Sequence, residues 1–261
     1  NAIDAGVAAG IAIGVLHSDL VNFAGVAPIM IRMAASGSVT TIDGLGGWPA
    51  LASAEFFEDH FDGQIPDGIL RTVVPAAPAA WIKALSEHGT IGFAQAARFA
   101  IDYARNGFEV YELFAEVVRD SEAGYRRTPE NERIYLPQGR PPKVGERFVQ
   151  SDLADSLQAM ADAESAATGS RQAGLQAARD VFYKGRIAQA ICDYHLEHNG
   201  FIRSSDLASF EVRSESPLRA GFGEFEIITC GAWCQCISLA QAFSTLVIAM
   251  PWKPMSRKAI S

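Results

Sequence analysis

Long runs with apolar positions every three to four residues dominate this chain, separated by short apolar runs that Gly, Pro and Asn-Gly pairs close off. Asn1 to Leu16 is apolar and rich in small residues (Gly6, Gly10, Gly14), which predicts a buried helix packed closely against a sheet. The run V-A-P-I-M-I-R-M from Val26 to Met33, then Gly37 and V-T-T-I-D from Val39 to Asp43, predicts a hairpin. An acidic amphipathic helix follows over 50–61, ended by turns at Asp62-Gly63 and Pro66-Asp67-Gly68. Val73-Val74-Pro75 ends a strand and opens a helix through Trp81, Leu85 and His88. Thr90 is expected to cap the next helix, whose Phe93, Ala96, Ala97, Ala100, Ile101 and Ala104 share one face until Asn106-Gly107 stops it. A third helix spans Val110 to Arg119.

The segment from Arg126 to Val144, with four prolines and many charges, reads as an exposed connection, and 163–171 as an insertion. Ser151 is expected to cap a helix with Asp152 and Asp155 in its first turn, where carboxylates meet the positive end of the helix dipole. Gly185 makes a tight turn before a helix carrying Ile187, Ala190 and Ile191, which Asn199-Gly200 ends. Ser204 and Ser205 are expected to cap a short helix. A strand pair ending in F-E-I-I-T-C, a helix over 238–250 and an irregular basic tail over 251–261 complete the chain. Residues 1–250 are expected to form a single domain.

Composition narrows the function. With 261 residues, 49% of them hydrophobic, the chain can bury a real core. A formal charge of -8 and the lack of a basic face argue against nucleic acid. No apolar run is long enough to span a bilayer, and no basic segment precedes the apolar start as a signal peptide would require. Three of the four cysteines cluster as Cys230, Cys234 and Cys236, but no second Cys or His cluster accompanies them, so buried thiols are favoured over metal. His195 and His198, with Glu197 between them, read as a polar helix end. There is no G-x-S-x-G elbow, no phosphate loop and no dinucleotide fingerprint. Thr40 and Thr41 lie inside a strand, without the free α-amine that an N-terminal nucleophile uses as its base. No catalytic residue, metal or cofactor is therefore assigned.

Several strings occur in a telling order. They are N-A-I-D-A-G-V-A-A at the start, Gly107-Phe108-Glu109-Val110, and V-G-E-R-F-V-Q-S-D-L-A-D-S-L from Val144. After these come A-A-R-D-V-F-Y-K-G-R-I-A-Q-A-I, and H-N-G-F-I-R-S-S-D-L-A-S-F-E-V from His198. This order resembles the large chain of the gamma-glutamyltransferase family, a branch of the N-terminal-nucleophile hydrolases. The resemblance implies an α/β (α+β) fold, part of a four-layer αββα sandwich, and a chain that begins after the true start of that fold. It also implies an autocatalytically cleaved zymogen, a heterodimer whose partner is a small chain carrying the nucleophilic N-terminal threonine, and a small-molecule amide substrate.

Two departures bear on specificity. The family's glycine run before the first strand is here Asn22-Phe23-Ala24-Gly25-Val26-Ala27-Pro28. Its D-G-R-E-x-x-P pattern, whose arginine grips the substrate α-carboxylate, is here Asp43-Gly44-Leu45-Gly46-Gly47-Trp48-Pro49. Leucine offers no donor, so the expectation is an amide hydrolase or acyltransferase acting on something other than a gamma-glutamyl compound. Phe23, Leu45 and Trp48 are its expected substrate-binding residues. The alternative is a non-catalytic fragment or scaffold that keeps only the fold. Unpaired clustered thiols lean toward a cytoplasmic rather than a periplasmic location.

Overall fold

The computed structural model describes residues 1–249, so the expected tail over 251–261 and the last residue of the expected helix over 238–250 lie outside the described residues. Helices dominate, with short strands between them, in keeping with an α/β chain. Within the 1–250 span the chain divides into two compact units: Asn1–Val26 with Gly46–Glu211, and Ala27–Leu45 with the segment from Val212 onward.

The first unit is built on the Phe93–Asn106 helix. Its inner face is Ala96, Ala97, Ala100 and Ala104, all buried, with Phe93 at the start and Ile101 alongside. Four alanines keep the surface shallow, so the Ala2–Leu16 and Ser151–Ala166 helices pack directly on it. The small residues of the first helix do not pack on a sheet: Gly10 lies against the Trp81 indole of the Ala77–His88 helix and Gly14 against the backbone of the loop at Phe23. Helical spacing shows that a face is buried, but a glycine stripe suits a helix partner as well as a strand, and helices are what the topology supplies. A second cluster, Phe108, Val110, Phe114, Val118, Leu136 and Phe148, packs around the two-stranded ribbon of Phe108–Glu109 with Arg147–Phe148. The stretch expected to be an open connection carries a short helix, Pro129–Tyr135, and Tyr135 stacks on Tyr125 with ring centroids 4.3 Å apart.

Helix termini depart from the local expectation. Thr90 does not cap the Phe93–Asn106 helix, since Gly92 occupies the N-cap. The amides of Phe93 and Ala94 instead donate to the two carboxylate oxygens of Glu164, at 2.7 and 2.6 Å. A bidentate charged acceptor on the positive end of the helix outcompetes a neutral hydroxyl. The Ser151–Ala166 helix extends into the start of the expected insertion and so delivers that carboxylate. Ser151 is the first residue of this helix rather than its cap, and Gln150 holds the cap position. Ser204 and Ser205 likewise lie inside their helix, where Asp206 reaches back to the Arg203 amide at 2.8 Å.

Replacing Glu164 with Ala strands both amides, and a loss of about 2–4 kcal/mol is expected. Thermal unfolding of the variant beside the parent measures it.

Thr90 has another role. Its amide and hydroxyl donate to the two oxygens of Asp4, at 2.8 and 2.6 Å, tying the first helix to the loop before the Phe93–Asn106 helix. Burial pushes the Asp4 carboxyl upward, but the hydrogen bonds from Thr90 and Ile91 outweigh it and hold the group well below the usual carboxylate range. A carboxyl depressed in the folded state stabilises above its unfolded pKa, and that stability drains away as pH falls through the folded value. The Asp4→Asn variant is therefore expected to be less stable by about 2 kcal/mol at neutral pH. In denaturant titrations across acidic pH the gap to the parent should close below pH ~4.

The second unit holds a three-stranded antiparallel sheet in the order Ile29–Arg32, Val39–Ile42, Ser214–Glu215. The expected hairpin forms with Ile29 opposite Ile42 and Arg32 opposite Val39, and Gly37 takes the positive φ of +70° in its turn. A second hairpin pairs Leu218–Phe222 with Phe225–Thr229, and the Cys236–Ala249 helix follows it. Among the described residues, no helix is long and apolar enough to cross a membrane.

Candidate functional site

The loop Asn22–Val26 in the first unit is fastened by its backbone. The carbonyl of Gly25 accepts from the amides of Ala76 and Ala77, at 3.0 and 2.9 Å, where the Ala77–His88 helix begins. The Tyr183 hydroxyl secures the same helix start, donating to the Pro75 carbonyl at 2.7 Å and accepting from the Ala79 amide at 3.2 Å. Burial pushes the Tyr183 phenol far above its ordinary range. It stays protonated and serves as a structural strut.

Phe23 is only 3% exposed, and its ring packs among Trp81, Phe93 and Phe182 at 5.3, 6.5 and 6.0 Å. It is thus an aromatic anchor of the core that also forms part of the wall of a cleft of about 300 Å³ with Asn22, Ala24, Tyr135 and Gln150. A wider cleft of about 440 Å³ lies along the same loop, lined among others by Asn22, Gly25, Arg71, Thr72 and His195. His195 is buried, and burial followed by the nearby Arg203 charge lowers its pKa. Its Nδ1 accepts from the Ile202 amide at 3.4 Å. The neutral ring therefore closes the end of its helix, as a polar helix end should.

The segment Gly46–Pro49 crosses Val74. The Val74 amide donates to the Gly47 carbonyl at 2.9 Å, and a Cβ on Gly46 would drive into the Val74 carbonyl. Trp48 is 48% exposed and meets Phe57 edge to face at 6.2 Å. It is a half-exposed aromatic side chain braced on one neighbouring ring.

In the second unit, Asp43 continues the sheet. Its amide donates to the Arg213 carbonyl at 3.0 Å and its carboxylate accepts from the Arg213 amide at 2.9 Å. The Gly44 carbonyl accepts from the Ala27 amide at 2.8 Å, and only a glycine can approach the Ala27 carbonyl so closely. Leu45, half-buried, follows directly, its amide turned back to the Asp43 carbonyl. Thr41 is buried and donates to the Glu215 carbonyl at 3.2 Å, so its hydroxyl is spent within the sheet.

The structure brings three cysteines together. The sulfurs of Cys230, Cys234 and Cys236 lie within 4.8 Å of one another, the only such ligand group found among the described residues. Burial pushes the Cys230 thiol up to about 11, whereas hydrogen bonding from the Thr229 side chain leads the effects that lower Cys236. The spacing C-x-x-x-C-x-C at the mouth of a helix was the available signal. It was set aside because sequence shows no second cluster, although a turn can converge three thiols by itself.

Comparison with known proteins identifies the family. The family described as gamma-glutamyltranspeptidase matches residues 1–258, and the chain belongs to that family. Acylase ACY 1 proenzyme of Pseudomonas sp. (strain SE83) is 32% identical over 238 residues, covering 87% of this chain and 40% of the relative. Glutathione hydrolase proenzyme of Escherichia coli (strain K12) is 29% identical over 234 residues, covering 87% of this chain and 37% of the relative. The crystal structure of Helicobacter pylori gamma-glutamyltranspeptidase superposes with a TM-score of 0.82 at 24% identity, covering 99% of this chain and 72% of that one. The fold is accordingly the α/β fold of the N-terminal-nucleophile hydrolases. The chain spans about 40% of the length of the acylase relative.

Proposed function

We propose that this chain is the large-chain part of an amide hydrolase or acyltransferase, matured by self-cleavage, whose nucleophilic threonine begins a small chain. The names of its relatives support processing, since both the acylase and the glutathione hydrolase are called proenzymes. In this reading the threonine hydroxyl attacks the amide carbon, its own α-amine takes the proton, and the amine product leaves from an acyl-enzyme that water or a second amine resolves. Oxyanion stabilisation comes from the small chain as well. This chain contributes recognition.

The observation that carries the specificity is Leu45. It stands where the family pattern has the arginine that forks onto a substrate α-carboxylate, and its side chain can neither donate nor carry charge. The acyl group is therefore one without a free α-amino acid head, and Phe23 and Trp48 are apolar contacts for substrate. That an acylase is among the relatives agrees with this.

The deciding experiment uses the full protein with its small chain, supplied with simple amides and with gamma-glutamyl amides. Release of amine from the former, weak release from the latter, and loss of both when the small chain's leading threonine becomes alanine are expected. Full activity after that replacement overturns the divided nucleophile. A preference for gamma-glutamyl amides overturns the role given to Leu45. Absence of any amidase or transferase activity favours a scaffold that retains only the fold.

A further inference from the structure

We propose that Cys230, Cys234 and Cys236 form a binding site for a thiophilic d10 cation. The three sulfurs already lie within 4.8 Å of one another. A cation with metal–sulfur bonds of about 2.3 Å holds its thiolates roughly 3.8–4.0 Å apart, so closure needs side-chain movement of about 1 Å or less. That is within rotamer adjustment of exposed or half-exposed cysteines, and all three are half-buried rather than sealed in a core.

The turn that presents them is pinned on both sides. Trp233 donates its indole N–H to the Glu215 carboxylate at 2.8 Å, anchoring the middle of the turn to the sheet strand. Gly231 passes so close to that indole and carboxylate that a Cβ would fall 2.6 Å from the indole nitrogen. Cys236 is the first residue of the following helix, and Cys230 directly follows the last residue of the preceding strand. Regular structure therefore sets two of the three ligands, and the pinned turn sets the third. Thr229, buried at 4% exposure, closes the strand immediately before Cys230.

Three soft sulfurs in this arrangement select Zn(II), Cu(I) or a congener over Mg(II) or Ca(II), which require oxygen. Each thiol yields its proton to buffer as its sulfur–metal bond forms, and a water or an external ligand completes the shell. Cys192, buried within the other compact unit, is not part of the group.

The test takes the full-length protein, reduced, metal-free and kept anaerobic, and titrates it with Cd(II) as an optical probe. A sulfur-to-cadmium charge-transfer band is expected, weakened by each of Cys230→Ser, Cys234→Ser and Cys236→Ser, abolished in the triple variant and unchanged in Cys192→Ser. On the unaltered protein, one equivalent of Zn(II) is expected to shield three thiols from a disulfide reagent, which keeps the test decisive if a variant fails to fold. The proposal is overturned if no band appears, if the triple variant keeps the band, or if Zn(II) shields no thiols. It is equally overturned if two of the three thiols pair as a disulfide in air and the reduced protein then takes up no cadmium.

Discussion

Replacing Leu45 with Arg is expected to raise affinity for gamma-glutamyl compounds by roughly 10- to 100-fold, the equivalent of one charge-assisted hydrogen bond at about 1.5–3 kcal/mol. The position is prepared for such a change. Asp43 is tied through backbone and carboxylate to Arg213, and Gly44 is wedged against Ala27, so residue 45 leaves the sheet in a determined direction whatever its side chain. The new guanidinium needs only a carboxylate within its reach. The gain should appear as a lower KM for a gamma-glutamyl amide in the assembled protein, with a smaller change for an acyl amide lacking the carboxylate. No difference between the two substrates means that residue 45 does not read the acyl group, and the specificity proposal falls.

Gly46→Ala is expected to cost at least about 3 kcal/mol. The added Cβ would meet the carbonyl of Val74 and its carbon as well as the Val73 side chain. Backbone cannot rotate aside as a flexible side chain would. Val74 is buried at 3% exposure and its amide is already bound to Gly47, so relief requires the crossing itself to open. Gly47→Ala is the matched control, because a Cβ there meets nothing within 4 Å. Chemical denaturation of both variants separates a steric effect from a general penalty for losing glycine. Equal stabilities would refute the close approach. Since Trp48 lies two residues beyond, Gly46→Ala should also disturb substrate affinity in whatever fraction remains folded.

The proposed metal group and the proposed acyl recognition have separate readouts: the cadmium titration tests the thiols on the turn before the Cys236–Ala249 helix, and the paired amide substrates test Leu45 on the turn after the Val39–Ile42 strand.

What could be read from the chain alone was periodic and local. The 3.6-residue recurrence of Phe93, Ala96, Ala97, Ala100 and Ala104 identified a helix and its buried face, and all five are buried. The Gly37 turn between two short apolar runs identified the first hairpin, and its register follows from that turn. The order of the motifs identified the family, and with it the fold. These signals survive in one dimension because each depends on residues a few positions apart.

The rest needed partners distant in sequence. Thr90 and Ser151 are good capping residues by local rules, yet a carboxylate 71 positions from Phe93 took over the first of those helix starts and Thr90 turned to Asp4. Phe23 read as a substrate-binding residue because its loop departs from the family pattern, and packing adds that its ring is held among Trp81, Phe93 and Phe182 while it lines a cleft. The cysteine spacing was visible from the start, whereas the convergence of the three sulfurs depends on Trp233 reaching Glu215 across the turn. Sequence determined which segments are helical or extended and which family they compose, because those properties follow from local periodicity and motif order. Tertiary structure decided which polar groups answer which helix ends, which aromatics belong to the core and which thiols meet, since each of these is settled by whichever distant group arrives within bonding distance.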